Sequence, residues 1–199
     1  MKRHPSRRAL LAAFTLIELM IVVALIAVIL ALAAPSFREM ILMQRLRGTN
    51  AQLVTDLALA RSEAISRGVF VGVHSQAVSG MSCYIIFART TLAAGPCDCT
   101  AAPTSRCPDA ATTEIRTVQV PADMVVLLGV QAAPADGFTF DPRTGGIKLT
   151  PLDITNNNTS GFQIATYIDT ARKLRTAVSL SGRISVCTPS GSGVGGSPC

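Results

Sequence analysis

A single carboxylate, Glu18, lies inside the longest apolar run of the sequence. From Phe14 to Ala34 it is the one ionisable side chain. Placing a carboxylate inside a membrane costs about 2.5–3.5 kcal/mol on insertion scales, so such a group marks a functional site by default. The interaction that Glu18 could make is an ion pair, because an opposite charge in the same low-dielectric layer offsets the cost of burying the carboxylate. The alternative is an unpaired carboxyl that is protonated in lipid.

Six cysteines form a second set of reactive side chains, and all follow the apolar run: Cys83, Cys97, Cys99, Cys107, Cys187 and Cys199. Cysteines placed in this way suit disulfides in an oxidising compartment. Sequence alone does not choose among the 15 complete pairings. We expect Cys187, at the end of the last expected strand, to bridge to Cys199; pairing of either with the Cys97–Cys107 segment is the alternative. Zinc ligation by Cys97, Cys99 and Cys107 is disfavoured, because the usual paired C-x₂₋₄-C spacing is missing.

A basic cluster near the end of the chain is a candidate surface for DNA phosphates. Its members are Arg172, Lys173, Arg175 and Arg183, and Asp169 is the one acidic residue close by. Side chains alternate between faces along a strand, so Arg175 and Arg183 need not point together, and a solvated face is the simpler interpretation. Four of the 18 basic residues lie in positions 1–13, which leaves 14 against 12 acidic residues. That balance does not imply bulk nucleic-acid binding.

Catalytic motifs are missing from the sequence. The two histidines are His4 and His74, and neither belongs to a metalloprotease pair; a phosphate-cradling Gly-Lys-Ser/Thr loop and a nucleophile elbow are also absent. Gly191–Gly196 fits the dinucleotide fingerprint literally, but only three residues follow it, so we interpret it as a loop. We therefore expect a non-enzymatic protein without cofactor or metal.

The apolar run follows a basic leader, which predicts a membrane anchor. Positions 1–13 carry four basic residues and no acid, and Phe14–Ala34 is 21 residues long. About 20 apolar residues span a bilayer, and the basic leader orients the N-terminus towards the cytoplasm. A secretory signal peptide cut after Ala33 is the rival interpretation. Glu18 within the run, Pro35 just past that cut and the length of the run argue against it.

Helical periodicity resumes after Pro35, a residue that usually kinks a helix. An amphipathic stripe with spacings of three and four then predicts one helix from Phe14 to Arg67 with Gly68 as its C-cap. The stripe comprises Leu42, Leu46, Thr49, Leu53, Leu57, Ala60 and Ala64. Asp56 falls off this stripe.

Short β-like runs separated by turn residues follow Gly68. The predicted strands are Val69–His74, Cys83–Arg89, Ile115–Val120, Met124–Val130, Gly137–Phe140, Gly146–Thr150, Phe162–Ile168, Thr176–Leu180 and Arg183–Cys187. Tight turns are expected at Asp141–Gly145 and at Ser181-Gly182. Thr90–Thr113 and Thr188–Cys199 look loop-like or disordered. A long helix packed on an antiparallel sheet gives an α+β fold class.

The motif Phe14-Thr15-Leu16-Ile17-Glu18-Leu19 after the basic leader resembles the prepilin signal of type IV pilins and type II secretion pseudopilins. Ala13 stands where that family usually has Gly, and Pro35 matches a proline common in the family. Three further stretches are similar to the GspH/FimT branch of minor pseudopilins and pilins: Leu57–Ala64 with Arg67, Phe138–Gly145, and Arg175–Cys187.

The resemblance implies a type IV pilin-like fold and a processing step. A prepilin peptidase would cleave between Ala13 and Phe14 and methylate the new amine of Phe14. Glu18 would pair with the N-terminal amine of a neighbouring subunit, and Pro35 would serve assembly. The implied partners are other pilins or pseudopilins, the prepilin peptidase and the inner membrane, with the globular domain in the periplasm or in a surface pilus. Some FimT-like minor pilins bind DNA through a Gly-Arg-x-Arg hairpin, but here Gly182–Ser185 lacks the second arginine.

The predicted organisation is a leader (1–13), a transmembrane helix (14–34), a periplasmic helix half (35–68), a β-rich domain (69–187) and a flexible, Cys-ended tail (188–199). The first functional hypothesis is a structural minor pseudopilin or pilin subunit, for protein secretion or pilus biogenesis. The alternative is a DNA-binding minor pilin for natural DNA uptake. A third is an anchored or secreted domain of unrelated function.

Overall fold

One long helix precedes the strands of two antiparallel sheets in the computed structural model, which describes residues 15–78, 80–121, 126–129, 137–150 and 161–199. The elements are α1 (Leu16–Arg67), β1 (Phe70–Val78), β2 (Met81–Arg89), β3 (Thr112–Pro121), β4 (Val126–Gly129), β5 (Gly137–Phe140), β6 (Ile147–Thr150), β7 (Phe162–Tyr167), β8 (Lys173–Val178) and β9 (Ile184–Cys187). The chain forms two compact units, Met1–Ile41 and Leu42–Cys199.

The described part of the first unit is the beginning of α1. Thr15 caps the helix, because its hydroxyl oxygen accepts a hydrogen bond from the N–H of Glu18 at 3.3 Å. Among the described residues, no single helix is long and apolar enough to qualify as a membrane span. The segments Leu16–Leu32 and Ser36–Arg67 qualify only as a bent pair, on length and composition alone.

In the second unit α1 buries the predicted stripe against the sheets. Leu46, Leu53 and Leu57 are fully buried, as are Ala60 and Ala64. The helix ends where it was predicted to end, because Gly68 has a φ of +66°, a left-handed conformation that favours glycine.

The strands form a five-stranded sheet with the order β3-β2-β1-β5-β6 and a four-stranded sheet with the order β4-β7-β8-β9. All the strand pairs are antiparallel. Each predicted strand corresponds to an observed one, with bounds that differ by up to four residues. The largest differences are at β1, which continues to Val78, and at β8, which covers Lys173–Val178 instead of Thr176–Leu180.

One apolar core joins α1 to both sheets. Leu57 and Ala60 of the helix share this core with Phe138 of the first sheet and Phe162 of the second. The rings of Phe138 and Phe162 lie 4.9 Å apart between centroids, so an aromatic contact bridges the two sheets.

Buried polar contacts on α1 were not predicted. Asn50 is 4% exposed, and its side-chain oxygen accepts hydrogen bonds from the hydroxyls of Thr166 (3.2 Å) and Thr176 (2.9 Å). Asp56, expected off the buried face, is 1% exposed and accepts a hydrogen bond of 2.6 Å from the Tyr84 hydroxyl. The helix packs on two sheets at once, so its buried arc is wider than the apolar stripe and includes these polar positions.

The segment Thr90–Thr113 was expected to be loop-like or disordered, but the structure gives it a buried interior. The disulfide Cys83–Cys99 ties it to β2, and the disulfide Cys97–Cys107 closes a loop within it, with Cα–Cα distances of 5.9 and 4.4 Å. The guanidinium of Arg89, itself 3% exposed, donates to the carbonyl of Ala94 at 3.2 Å. Two disulfides and a buried arginine thus order this segment, although its sequence lacks the periodicity of a helix or a strand.

The tail also differs from the flexible segment that its composition predicts. A disulfide joins Cys187 to Cys199 as expected, with a Cα–Cα distance of 4.9 Å. Val194 is 2% exposed and packs with Leu46 and Leu174. The N–H of Thr188 donates to the carbonyl of Ser197 at 2.8 Å, so the tail folds back on its own start.

Replacing Asn50 tests the buried polar junction. Asn50→Ala leaves the hydroxyls of Thr166 and Thr176 without their acceptor, and a buried unsatisfied group costs about 1–3 kcal/mol. We expect the midpoint of thermal unfolding, measured on the full chain in detergent, to fall by about 4–8 °C. Gln52→Ala, at an exposed position of the same helix, is the matched control and should shift it by less than about 2 °C. Equal shifts in the two variants would contradict the assignment.

Peptide mapping without reduction tests the cross-links. The digest must cut between Cys97 and Cys99, for example on the N-terminal side of Asp98, because these two cysteines belong to different bridges. We expect the three pairs Cys83–Cys99, Cys97–Cys107 and Cys187–Cys199. A peptide joining Cys187 or Cys199 to any of the other four cysteines would refute the pairing.

Candidate functional site

Glu18 lies in the first turn of α1, on the exposed surface of the first unit. Thr15 is the cap residue, and Glu18 stands three positions later, where a carboxylate favours the positive end of the helix dipole. The Thr-x-x-Glu spacing is a helix-start signal that the sequence analysis did not use. Glu18 therefore has a local stabilising role besides the intersubunit role that the resemblance implies.

The surface around Glu18 is apolar on every side of the helix. Each large apolar residue from Leu16 to Leu32 is exposed, with fractions from 43% at Val22 to 76% at Leu16 and Leu32. A helix that is hydrophobic all round belongs in lipid or among other helices. Lipid or other helices that cover this surface exclude water from it. In such surroundings the carboxylate can form a strong pair with a cation that enters the same layer.

The residues of the predicted processing step, Ala13 and Phe14, lie outside the described residues. Pro35 falls within α1, and its side chain is also outside the description. The cleavage, the methylation and the role of Pro35 stay predictions.

The four basic residues of the possible DNA surface do not form one cluster. The Nε of Arg172 donates to the Asp169 carboxylate at 2.8 Å, and this hydrogen bond holds the pKa of Asp169 below its usual range. Arg175 of β8 pairs with Cys187 of β9. Arg183 lies four positions before Cys187 in the chain, so the two arginines are about 13 Å apart along the strand direction. Arg183 is exposed beside Ile65 at the end of α1 instead.

Arg61 joins two turns to the helix and was not predicted to do so. Its Nε donates to the carbonyl of Gly145 at 3.0 Å, and its Nη2 donates to the carbonyl of Ser181 at 3.3 Å. The two turns touch: a Cβ at Gly182, whose φ is +78°, would lie 1.9 Å from the Gly145 carbonyl oxygen. Only glycine fits at 182, because any side chain there would collide with the neighbouring turn. The two family-like turns, 141–145 and 181–182, therefore lie against each other, and Arg61 binds both.

Asp56 and Tyr84 form a buried polar pair between α1 and the first sheet, and the partly exposed Arg116 reaches this pair from the sheet. Arg116 Nε lies 3.1 Å from the Asp56 carboxylate, which also accepts the Tyr84 hydrogen bond. Burial and then that hydrogen bond raise the pKa of Tyr84 well above its usual value, so the phenol stays a donor. This arrangement orients the helix on the first sheet.

Metal chemistry finds no donor set in the described ranges. No group of three or more His, Cys, Asp or Glu side chains there could hold a metal ion. The zinc alternative required free thiolates at Cys97, Cys99 and Cys107, and all three are engaged in disulfides.

Comparison with known proteins gives a matching family and two solved structures with limited similarity. The sequence model of the family described as Type II transport protein GspH matches residues 49–182. Two crystal forms of the type IV minor pilin FimU from Pseudomonas aeruginosa PAO1 are structurally similar. One has 18% identity and a TM-score of 0.46 over 71% of this chain and 87% of FimU; the other has 17% and 0.44 over 70% and 90%. No curated protein matches the sequence.

The family match begins within α1 and ends in the β8–β9 turn, so it includes the helix stripe from Thr49 onward, the strands β1 to β8 and the Arg61 junction. It covers well over half of the 199 residues. The chain therefore belongs to the GspH family of type II transport proteins.

Proposed function

We propose that this protein is a structural, non-enzymatic subunit of a pseudopilus or pilus, anchored in the inner membrane by α1 and assembled with other pilin-like subunits. Membership of the GspH family supports the general class. The observation that carries the proposal is the apolar half of the helix, whose large side chains are exposed all round from Leu16 to Leu32.

Exposure of so much apolar surface to water is costly. Burying one large apolar side chain is worth about 1.5–3 kcal/mol, and thirteen such residues lie between Leu16 and Leu32. The free energy available from covering this surface is thus on the order of tens of kcal/mol. Lipid supplies such cover before assembly, and the packed helices of neighbouring subunits supply it within a filament.

Glu18 gives this surface a specific register. Cleavage before Phe14 would leave a cationic amine four residues from Glu18, in the same apolar layer. In one subunit, the amine and Glu18 both lie at the start of the helix. In a filament, the amine of one subunit can instead pair with the Glu18 of its neighbour. Pairing removes most of the cost of two separate buried charges, so it selects one axial offset between subunits.

The predicted topology places the second unit on the oxidising side of the membrane. Three disulfides in that unit suit the periplasm, where such bonds form and persist. DNA uptake is the alternative function, but the basic residues that it needs are separated in the structure and Arg172 is paired with Asp169. No observation favours it over the structural role.

Processing is the first testable consequence. We expect cleavage between Ala13 and Phe14, with a mature N-terminus that is methylated, because the basic leader and the Phe14–Leu19 motif match the prepilin signal. Intact mass and N-terminal sequencing of the membrane fraction measure this directly. An N-terminus at Ala34 would identify a secretory signal peptide and contradict the proposal.

Removing the charge at Glu18 is the second. Glu18→Gln should leave membrane insertion intact, because a costly group leaves the lipid, and should abolish incorporation into filaments, because the neighbouring amine loses its partner. The measurement is the ratio of the protein in sheared filaments to that in membranes.

Glu39→Gln is the matched control, since Glu39 is an exposed acid on the same helix beyond the apolar run. It should assemble normally. Normal incorporation of Glu18→Gln would show that pairing at Glu18 does not drive assembly.

A further inference from the structure

A pocket of about 570 Å³ lies between the outer end of β8 and the disulfide-closed tail. We call it the tail pocket; the residues that matter for its chemistry are Arg175, Thr188, Ser190, Gly191, Ser192 and Gly196. It lies wholly within the second unit. Neither the family match, which ends at residue 182, nor the filament role assigns it a purpose.

Two polar atoms at this pocket are buried without a hydrogen-bond partner. They are the Nε of Arg175 and the hydroxyl oxygen of Thr188, whose residue is 8% exposed. Buried polar groups are almost always satisfied, and an unmet one costs about 1–3 kcal/mol, more when it is charged. No acidic side chain is among the described residues that line the pocket.

Apart from Arg175, the pocket is lined by a loop of the tail that is held in place by its own hydrogen bonds. The Ser192 hydroxyl accepts a hydrogen bond from the N–H of Lys173 (3.1 Å) and donates to the carbonyl of the same residue (2.8 Å). The N–H of Gly193 donates to the carbonyl of Ala171 at 2.6 Å, and Val194 is buried in the core beneath. These contacts and the Cys187–Cys199 bridge fix the loop before any ligand arrives, which lowers the entropic cost of binding.

Glycines bring bare backbone to this wall. Gly191 has a φ of +76°, which other residues rarely adopt, and a Cβ at Gly196 would lie 2.6 Å from the Thr188 hydroxyl. The run that resembles a dinucleotide fingerprint is therefore a loop, as expected, and within it Gly196 packs closely on Thr188.

We propose that the tail pocket binds the oxyanion group, carboxylate or phosphate, of a small anionic molecule. An arginine presents Nε–H and one Nη–H as a fork that matches two oxygens of such a group, and charge-assisted bonds of this kind are the strong ones. The hydroxyl of Thr188, a residue that lines the same pocket, supplies a third donor. The two buried atoms that lack partners would then both be satisfied by one ligand.

Isothermal titration of the full chain in detergent, at constant ionic strength, tests the proposal with two probes, inorganic phosphate and succinate. We expect one saturable site per chain, and the better of the two probes identifies the preferred oxyanion. Arg175→Ala should weaken binding at least about tenfold, since a hydrogen bond to a charged group is worth about 1.5–3 kcal/mol. Arg175→Lys should restore little, because an ammonium lacks the fork. Arg183→Ala, an exposed arginine of the same hairpin, is the control and should bind normally.

A glycine pair keeps the test decisive if Arg175→Ala fails to fold. Gly196→Ala pushes against the Thr188 hydroxyl and should weaken binding, whereas Gly195→Ala, whose Cβ meets nothing within 4 Å, should not. The proposal is overturned if neither anion binds saturably, or if the Arg175 and Gly196 variants bind as the wild type does. It is also overturned if a short DNA duplex binds while both small anions fail, because the arginine would then belong to an extended polyanion surface.

Discussion

The apolar half of α1 is the constraint on which the rest of this protein depends. Its large side chains find no cover within the described chain, and a helix that is apolar on all sides is stable only in lipid or against similar helices. A helix of this kind is stable in a membrane, in an assembly of like helices, or in each in turn, and this requirement is the basis of the proposed filament role.

The second half of the same helix solves a different problem, that of holding a small domain together. Its buried stripe forms the centre of a core shared by two sheets, and polar contacts fix its position within that core. Asn50 binds two threonines of the second sheet, Asp56 binds Tyr84 of the first, and Arg61 binds the turns of both. Apolar packing alone tolerates small rotations of a helix, whereas these directional bonds do not. The helix is thereby fixed to the domain that it carries.

Much of this fold could be predicted from the sequence because its signals are local. The 3–4 spacing along α1, the glycine at 68 and the turn residues between strands each act over a few residues, and the structure agrees with them. The segment 90–113 could not be predicted, since its order comes from a disulfide to β2, a second disulfide within the segment and the buried Arg89, and none of these pairings is a local signal. The same holds for Asp56, whose partners Tyr84 and Arg116 come from distant strands of the first sheet. At the candidate site, Glu18 was evident from charge alone, whereas the separation of Arg175 from Arg183 required the register of β8 and β9.

Photo-cross-linking from within the apolar helix tests directly whether the helices of other subunits cover it. A benzophenone amino acid placed at Leu25, which is 60% exposed, reports what covers this surface in the living cell. The account predicts adducts with other pilin-like subunits, joined through the partner's own apolar N-terminal helix, when the host filament system is expressed. Adducts with lipid alone under those conditions would contradict it, because the helix would then be an anchor and not an assembly surface.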